Sequence, residues 1–481
     1  MHLPFLARYG YHHDELYFLD CGHHLSFGYV DQSPIVPWIA RLADFLFGQS
    51  LFGLRIFAVL AGAAAVFITG LLVQRLGGRK FAVFAACFSM LIAPNFIRSS
   101  IMLCIPVFEP IIWVSCAYFV VRIIQENNLR LWIWIGVLIG IGLMIKHSTL
   151  LLIFGLGIGI LLTPLRNHLR TRWPYLAGAI ALCIFLPNIL WQIANDWPTV
   201  EFLRNLNRHT MSRISIFQFV LGQILYLNPV TAPIWIGGLV FFFSKAGKPY
   251  RIFGWVYISL FVLLMLIKSK IYYLAPAYPA VLAGGGTALE QFIIRKNWPR
   301  LKPVIAGTMI LALILFAPIL LPITSIDAMD RYCKVLSFGS FENVYEITGD
   351  LHGQFGWKER VEAVAKVYHT LSPTECDSTL IFGSWYGPTG AINYFGGEYG
   401  LPKAVSGHMT YYLWGFPQKP ITTVIVADAP IEKLKTMFDD VIIASQTTLK
   451  NVNPWEQQFY VAICRKPKVG LHELWPKLKN W

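Results

Sequence analysis

IFAVLAGAAAVFITGLLVQRLGGRK, residues 56–80, decides the fold. Residues 56–73 carry no charge, and a chain crossing a bilayer as a helix needs about 17–25 such residues. A helix is one of two structures that satisfy every backbone polar group inside lipid. Arg75, Arg79 and Lys80 follow at once, as they do at the cytoplasmic end of a span.

The same reading extends along the chain. Further apolar runs lie near 81–97, 105–121, 131–146, 148–163, 173–193, 216–244, 252–267, 271–294 and 303–322, the seventh run broken by Asn228 and Pro229. Of the 481 residues 56% are hydrophobic and 14% charged, against about 25% charged in soluble proteins. The chain therefore reads as an α-helical polytopic membrane protein of about ten spans. Its net charge of +14 does not point to nucleic acid, because the basic residues sit in short loops between apolar runs. Alternate loops hold Arg75, Arg79, Lys80; Arg122, Arg130; Arg166, Arg170, Arg172; Lys245, Lys248, Arg251; and Arg295, Lys296, Arg300, Lys302, with Glu126 their only acid. Such loops stay cytoplasmic. The N-terminal segment, the 194–215 loop and the C-terminal region are then expected outside.

From about Ile326 the composition becomes that of a soluble domain, with 16 of the chain's 26 acidic residues. Trp357, Val361, Val364, Val367 and Leu371 form one helical stripe, and short apolar runs at 379–383, 421–426, 440–443 and 459–463 predict strands. Three parts follow: an outer loop over residues 1–50, a transmembrane helical domain over 51–325, and an extracytoplasmic α/β domain over 326–481. The last part has no readable catalytic cluster, no G-x-G-x-x-G and no P-loop. It is expected to fold on its own and to serve an acceptor rather than the chemistry. Cys21, Cys333, Cys376 and Cys464 are placed outside, where three pairings or none are open.

Candidate chemistry gathers on the outer side. YGYHHDELYFLDCGHHLSFGYVDQSPIVPWIARL, residues 9–42, packs Asp14 and Glu15, two His pairs and Asp31 into one segment. Leu16, Leu19 and Phe27 place its helix at the membrane interface, with Asp14 at the mouth of a cavity. A solvated loop with an interfacial helix has the same residue types. In LMLIKSKIYYLAPAYP, residues 264–279, Lys268 and Lys270 precede Tyr272 and Tyr273. Two cations beside phenols suit a phosphate, and snorkelling lysines beside an aromatic belt look alike. Glu109, in IPVFEPIIW, is an intramembrane acid expected to face a cavity. Lys146 and His147 end a span. Trp197, Arg204, Arg208, His209 and Arg213 could cover a lipid-linked anion or form an ordinary loop.

These stretches resemble the polyprenyl-phosphate-sugar-dependent glycosyltransferases of the protein-mannosyltransferase and aminoarabinose-transferase group, which have the GT-C membrane fold. The similarity runs from YHHDELYFLDCGHHLSFGYVD through LMIKHS, LPNILWQ…DWPTVEF and KSKIYYLAPAYP to FGWKERVEAVAKVY and YGPTGAINYFGGEYGLPKAVSGHMTYYLWG. It implies sugar transfer from a polyprenyl-phosphate carrier to an acceptor in a bacterial inner-membrane setting, and a single displacement at the anomeric carbon would invert that centre. The resemblance assigns Asp14 as catalytic base, with Glu15 beside it for the acceptor. It places Lys270, Tyr272 and Tyr273 at the donor phosphate; the residue reading itself adds Asp31, Lys146, Lys268 and Glu109 as further candidate substrate contacts. No cofactor is required on this reading, and a divalent cation at Asp14 or Glu15 beside the histidines is the rival. Sugar and acceptor are unspecified. Two departures stand out. Family members begin with a span before the acid pair, which implies a start upstream of Met1. Their loops also read acid, Lys or His, then Pro-Pro, where this chain has Asp31, Gln32, Ser33 and Pro34. The competing class is a flippase or transporter of a lipid-linked sugar, which predicts internal repeats that the sequence does not show.

Overall fold

A computed structural model describes residues 2–209, 214–336 and 345–481, with the side chains of 207–209 and 345–347 outside the description. The side chains of Arg208 and His209, and the whole of Arg213, from the expected anion-covering loop therefore lie outside the description.

Two helices precede the apolar runs, α1 (His13–His23) and α2 (Ile35–Phe47). Then come α3 (Leu51–Arg75), α4 (Lys80–Ile92), α5 (Pro94–Ser100), α6 (Glu109–Glu126), α7 (Trp132–Ile145) and α8 (Thr149–Leu161). α9 (Trp173–Ala194), α10 (Pro198–His209), α11 (Ile216–Tyr226) and α12 (Ala232–Phe243) follow. The set closes with α13 (Ile252–Leu266), α14 (Tyr278–Lys296) and α15 (Leu301–Leu320). Every expected apolar run is helical, but not every run is one straight span. Four helical stretches among the described residues are long and apolar enough to cross a membrane: α3, Ile105–Glu126, α9 and α15. Three bent pairs raise the number to seven, with breaks of 65° between α4 and α5, 102° after α8 and 88° between α11 and α12. Proline explains two of them. Pro94 and Pro229 remove a backbone donor and push the preceding residue out of the helical region, and Asn228 takes a φ of +72°.

Glycine sets how closely the core helices approach. A Cβ on Gly238 of α12 would meet Val281 O of α14 at 2.0 Å, and one on Gly286 would meet Ala82 O of α4 at 2.5 Å. Small residues let the backbones close where lipid offers no hydrophobic drive between helices. The basic loops gather at one end of the bundle. There Arg75 meets Glu126 at 3.0 Å, while buried Glu290 accepts Arg79 N at 2.6 Å at the start of α4.

The C-terminal part starts with α16 (Ile326–Leu336) and α17 (Tyr345–His352), then α18 (Trp357–Tyr368), α19 (Pro373–Asp377) and α20 (Tyr386–Phe395). Its sheet holds β1 (Thr379–Gly383), β2 (Thr423–Ala427), β3 (Phe438–Thr448) and β4 (Gln458–Pro467) in the order β1-β2-β4-β3. β1 and β2 are parallel, and β4 is antiparallel to both neighbours. One sheet face packs on α18 and α20 through Val361, Val364, Ile381, Ile392, Ile425 and Phe459.

Leu16 of α1 belongs to that same cluster and is fully buried. This corrects the interfacial placement of α1: Glu15 through Gly22 are buried, and the helix lies between α2 and α20. α2 carries the exposed apolar face instead, through Leu42, Phe45 and Leu46. All eight cysteines are free, and Cys21, Cys333 and Cys464 are buried, so the four expected outside form no disulfide.

Candidate active site

The His-His-Asp-Glu run is a helix start. His12 is the N-cap of α1; its Nδ1 accepts from Asp14 N at 3.3 Å, and Glu15 reaches back to His12 N at 2.9 Å. This capping box satisfies donors that a helix otherwise leaves open, and it separates the two acids. Glu15 turns inward. Asp14 turns to a cleft of about 780 Å³.

Glu15 was expected to orient an acceptor, and the structure places it elsewhere. It has no exposure, against 1% for Arg55. Its carboxylate accepts from Arg55 Nε at 2.8 Å and Nη2 at 2.7 Å, and from the Leu103 amide at 2.9 Å. With His12 N as the fourth donor, its oxygens are occupied. Arg55 also donates to Leu6 O at 2.6 Å, Gly10 O at 2.8 Å and Gln354 Oε1 at 3.1 Å. Glu15 is a positioning residue.

Asp14 keeps 38% of its side-chain exposure. Tyr386, at the start of α20, donates its hydroxyl to Asp14 Oδ1 at 2.8 Å. Burial works against the Asp14 charge, while the hydrogen bond from the Tyr386 hydroxyl lowers the carboxyl. Burial and the neighbouring His12 push the His13 imidazole down to about 3, so it is neutral. His408 stacks on Tyr386 with ring centroids 5.3 Å apart, and burial lowers it to about 4. The C-terminal part, expected to serve an acceptor rather than the chemistry, thus also supplies a donor to Asp14.

Asp31 accepts from Tyr17 OH at 2.8 Å. Burial raises its carboxyl to about 6; Tyr17 opposes this, and the Asp14 charge adds to it. The two acids thus feel one another. Asp20 is buried between Tyr411 OH and Asn393 Nδ2, each at 2.7 Å.

A second cluster lies where α6 begins and α7 ends. Lys146 Nζ is 2.8 Å from Glu109 Oε2, and Ser148 donates to the other Glu109 oxygen. The ammonium also faces the stacked rings of Tyr272 and Tyr273, 5.2 and 4.9 Å from their centroids. The two rings expected to orient Lys270 stand against Lys146. Lys270 is half-buried, and its ammonium is shifted below the ordinary lysine value by burial and by the Lys146 charge. Two cations therefore share this place with one acid. Lys268 is exposed, at a φ of +52°, and has none of the cluster's contacts among the described residues. Arg98 and Asp350 line the cleft beside Asp14.

His12, His13 and Asp14 could also hold a metal ion, since one donor atom from each lies within 4.8 Å of the others. Two nitrogens and a carboxylate suit zinc or manganese, and buried His13 Nδ1 has no partner among the described residues.

Sequence reading missed Arg55, Tyr17, Tyr386 and Arg98. Arg55 carried the one available signal, a guanidinium at the edge of an apolar run. Tyr386 opens the YGPTGAINYF stretch that carried part of the resemblance, with no sign there of a partner near residue 14.

Residues 31–191 match the family described as dolichyl-phosphate-mannose-protein mannosyltransferase. The lipid A galacturonosyltransferase RgtD of Rhizobium johnstonii is 24% identical over 300 residues, which is 60% of this chain and 61% of that protein. The structure resembles ArnT from Cupriavidus metallidurans bound to undecaprenyl phosphate, with a TM-score of 0.62 and 14% identity over 94% of this chain and 92% of that one. Apo ArnT gives 0.61 and 15% over 94% and 93%. The architecture is thus that of ArnT, with apolar helices that fit membrane insertion and a small C-terminal sheet.

Proposed function

We propose that this chain, with the GT-C membrane fold, is a glycosyltransferase that moves a sugar from a polyprenyl-phosphate carrier to an acceptor hydroxyl. The observation that carries this reading is Asp14, which lines the cleft and accepts from Tyr386; the Lys146–Glu109 pair at the end of α7, with Lys270 near it, supplies the cations for a phosphate. The relatives' own descriptions agree with it: one is a galacturonosyltransferase acting on lipid A, and the ArnT structure binds undecaprenyl phosphate.

The acceptor oxygen attacks the anomeric carbon as the bond from that carbon to the phosphate oxygen breaks. Asp14 takes the acceptor proton. The departing polyprenyl phosphate keeps the bonding electron pair, and Lys270 and Lys146 meet its charge. A single displacement inverts the anomeric centre, by the logic of inverting glycosidases. Glu109 holds Lys146 in place, and Asp31 shares the field of Asp14. No cofactor is needed, and a cation at His12, His13 and Asp14 is the reading to be tested against this one. A flippase or transporter of the same lipid-linked sugar is the alternative, and the relatives' descriptions as transferases favour transfer over it.

The charge pattern of the loops supports insertion in a bacterial inner membrane with the cleft on the extracytoplasmic side.

The test is Asp14→Asn in purified protein supplied with a polyprenyl-phosphate sugar. Turnover should fall about 10²–10⁴-fold, the usual worth of a positioned base, with undecaprenyl-phosphate binding retained. Near-normal turnover in folded Asp14→Asn ends the assignment.

A further inference from the structure

The wall of the cleft opposite Asp14 has its own chemistry. The connection from β3 to β4 brings Asn453, Trp455 and Glu456 to it, and Trp385 and Asp428 come from the ends of β1 and β2. Trp455 is 71% exposed, an indole standing at the mouth. Asn453 is 4% exposed. Its amide nitrogen donates to Glu456 Oε1 at 3.2 Å, while its buried Oδ1 has no partner among the described residues. That oxygen lies 3.5 Å from where a Cβ on Gly349 would stand, and Gly349 also lines the cleft. A buried carbonyl oxygen without a donor is costly, and here it borders the hollow.

Charge separates this wall from the lysine cluster. Among the described residues the cleft lining carries four carboxyl groups, Asp14, Asp350, Asp428 and Glu456, against one guanidinium, that of Arg98. Arg98 already faces Asp350 at 3.7 Å. Glu456 is held by Arg360 at 2.8 Å, and Asp428 accepts from Trp385 Nε1 at 3.1 Å. Acids in a low-dielectric recess repel a further anion and tolerate hydroxyl or ammonium groups.

We infer that this wall is the acceptor subsite, that Trp455 is its stacking platform, and that it takes an uncharged or amino-bearing pyranose rather than an acidic one. The C–H face of a pyranose is apolar and fits the face of an indole, whereas its hydroxyls donate to Asn453 Oδ1 and the carboxylates. The two substrates are then sorted by charge, the donor phosphate to the lysines and the acceptor sugar to the acids. The inference rests on the transferase reading and names the acceptor class for it.

The test uses the full chain in lipid nanodiscs and saturation-transfer NMR with three probes: methyl glucoside, methyl glucosaminide and methyl glucuronide. The first two should receive saturation, and the glucuronide about three- to ten-fold less. Trp455→Ala should reduce the first two by about three- to ten-fold, the range of an aromatic contact, and Trp455→Phe should restore much of the signal. Equal or stronger glucuronide signal, no signal from any probe, or an unchanged Trp455→Ala protein overturns the inference. Thermal stabilisation by undecaprenyl phosphate is measured on the same samples and should be untouched by Trp455→Ala. Its absence in the wild type counts against the transferase reading alone, and the glycoside signals still decide the subsite.

Discussion

Glu15 tests whether both members of the acid pair do chemistry. In Glu15→Ala the Arg55 guanidinium stays buried in α3 with Leu6 O, Gly10 O and Gln354 Oε1, but without its anion. The amides of His12 and Leu103 lose their acceptor in the same step. Breaking a buried pair from one side costs about 3–5 kcal/mol, because an uncompensated charge is left behind. Small domains lose roughly 2–8 °C of midpoint per kcal/mol, with less for longer chains. A fall of about 3–10 °C is expected in detergent at a fixed scan rate. Glu15→Leu combined with Arg55→Met removes both charges, so the double variant should recover part of the loss, with a coupling of about 2–3 kcal/mol in the cycle. Recovery is partial because the two amides and three carbonyl oxygens still lack partners. The assay is thermal unfolding of all four proteins beside donor turnover. If Glu15→Ala unfolds with the wild type yet loses turnover, Glu15 acts on the acceptor and the positioning role is wrong.

Lys270→Ala should weaken undecaprenyl-phosphate binding or turnover by about 10- to 150-fold, the worth of a charge-assisted bond of about 1.5–3 kcal/mol; if both are unchanged, Lys270 only anchors the membrane interface. Tyr386→Phe removes a hydrogen bond that lowers the Asp14 carboxyl, so the acid limb of the pH–rate profile should move to higher pH. A limb that stays put denies the contact a catalytic role. Chelation with EDTA should leave turnover unchanged; a loss that Mn²⁺ or Zn²⁺ restores in wild type but not in His13→Ala would establish the cation at His12, His13 and Asp14. A reporter fused after Arg172 should read cytoplasmic, and an external reading reverses the orientation.

The membrane bundle was legible because its signal is local. Length and apolarity mark each helix, and the Asn228–Pro229 break is written at the residues where α11 gives way to α12. The four strands were legible for the same reason, although β3 and β4 run past the apolar cores that announced them. The candidate site was legible only where its residues are neighbours in sequence, as in Asp14 with His12 and His13, or Lys270 with Tyr272. α1 shows why the rest was hidden. HDELYFLDCGH mixes acids with apolar residues, and taken alone that pattern suits an interface. The structure buries it by giving each polar group a distant partner: Glu15 has Arg55, Asp20 has Tyr411 and Asn393, and Asp14 has Tyr386 from 372 residues away. No periodicity encodes such pairings, which arise only when both ends of the chain close on the same helix. The consequence reaches the C-terminal part itself. Its core includes Leu16, and Gly390 of α20 leaves room for the α1 backbone, where a Cβ would meet Leu16 C at 3.2 Å. A 335–481 fragment thus lacks one of its own core residues and bares the α20 face that covers α1. The sheet and Asp14 are held by the same contact, so what closes the fold also completes the site.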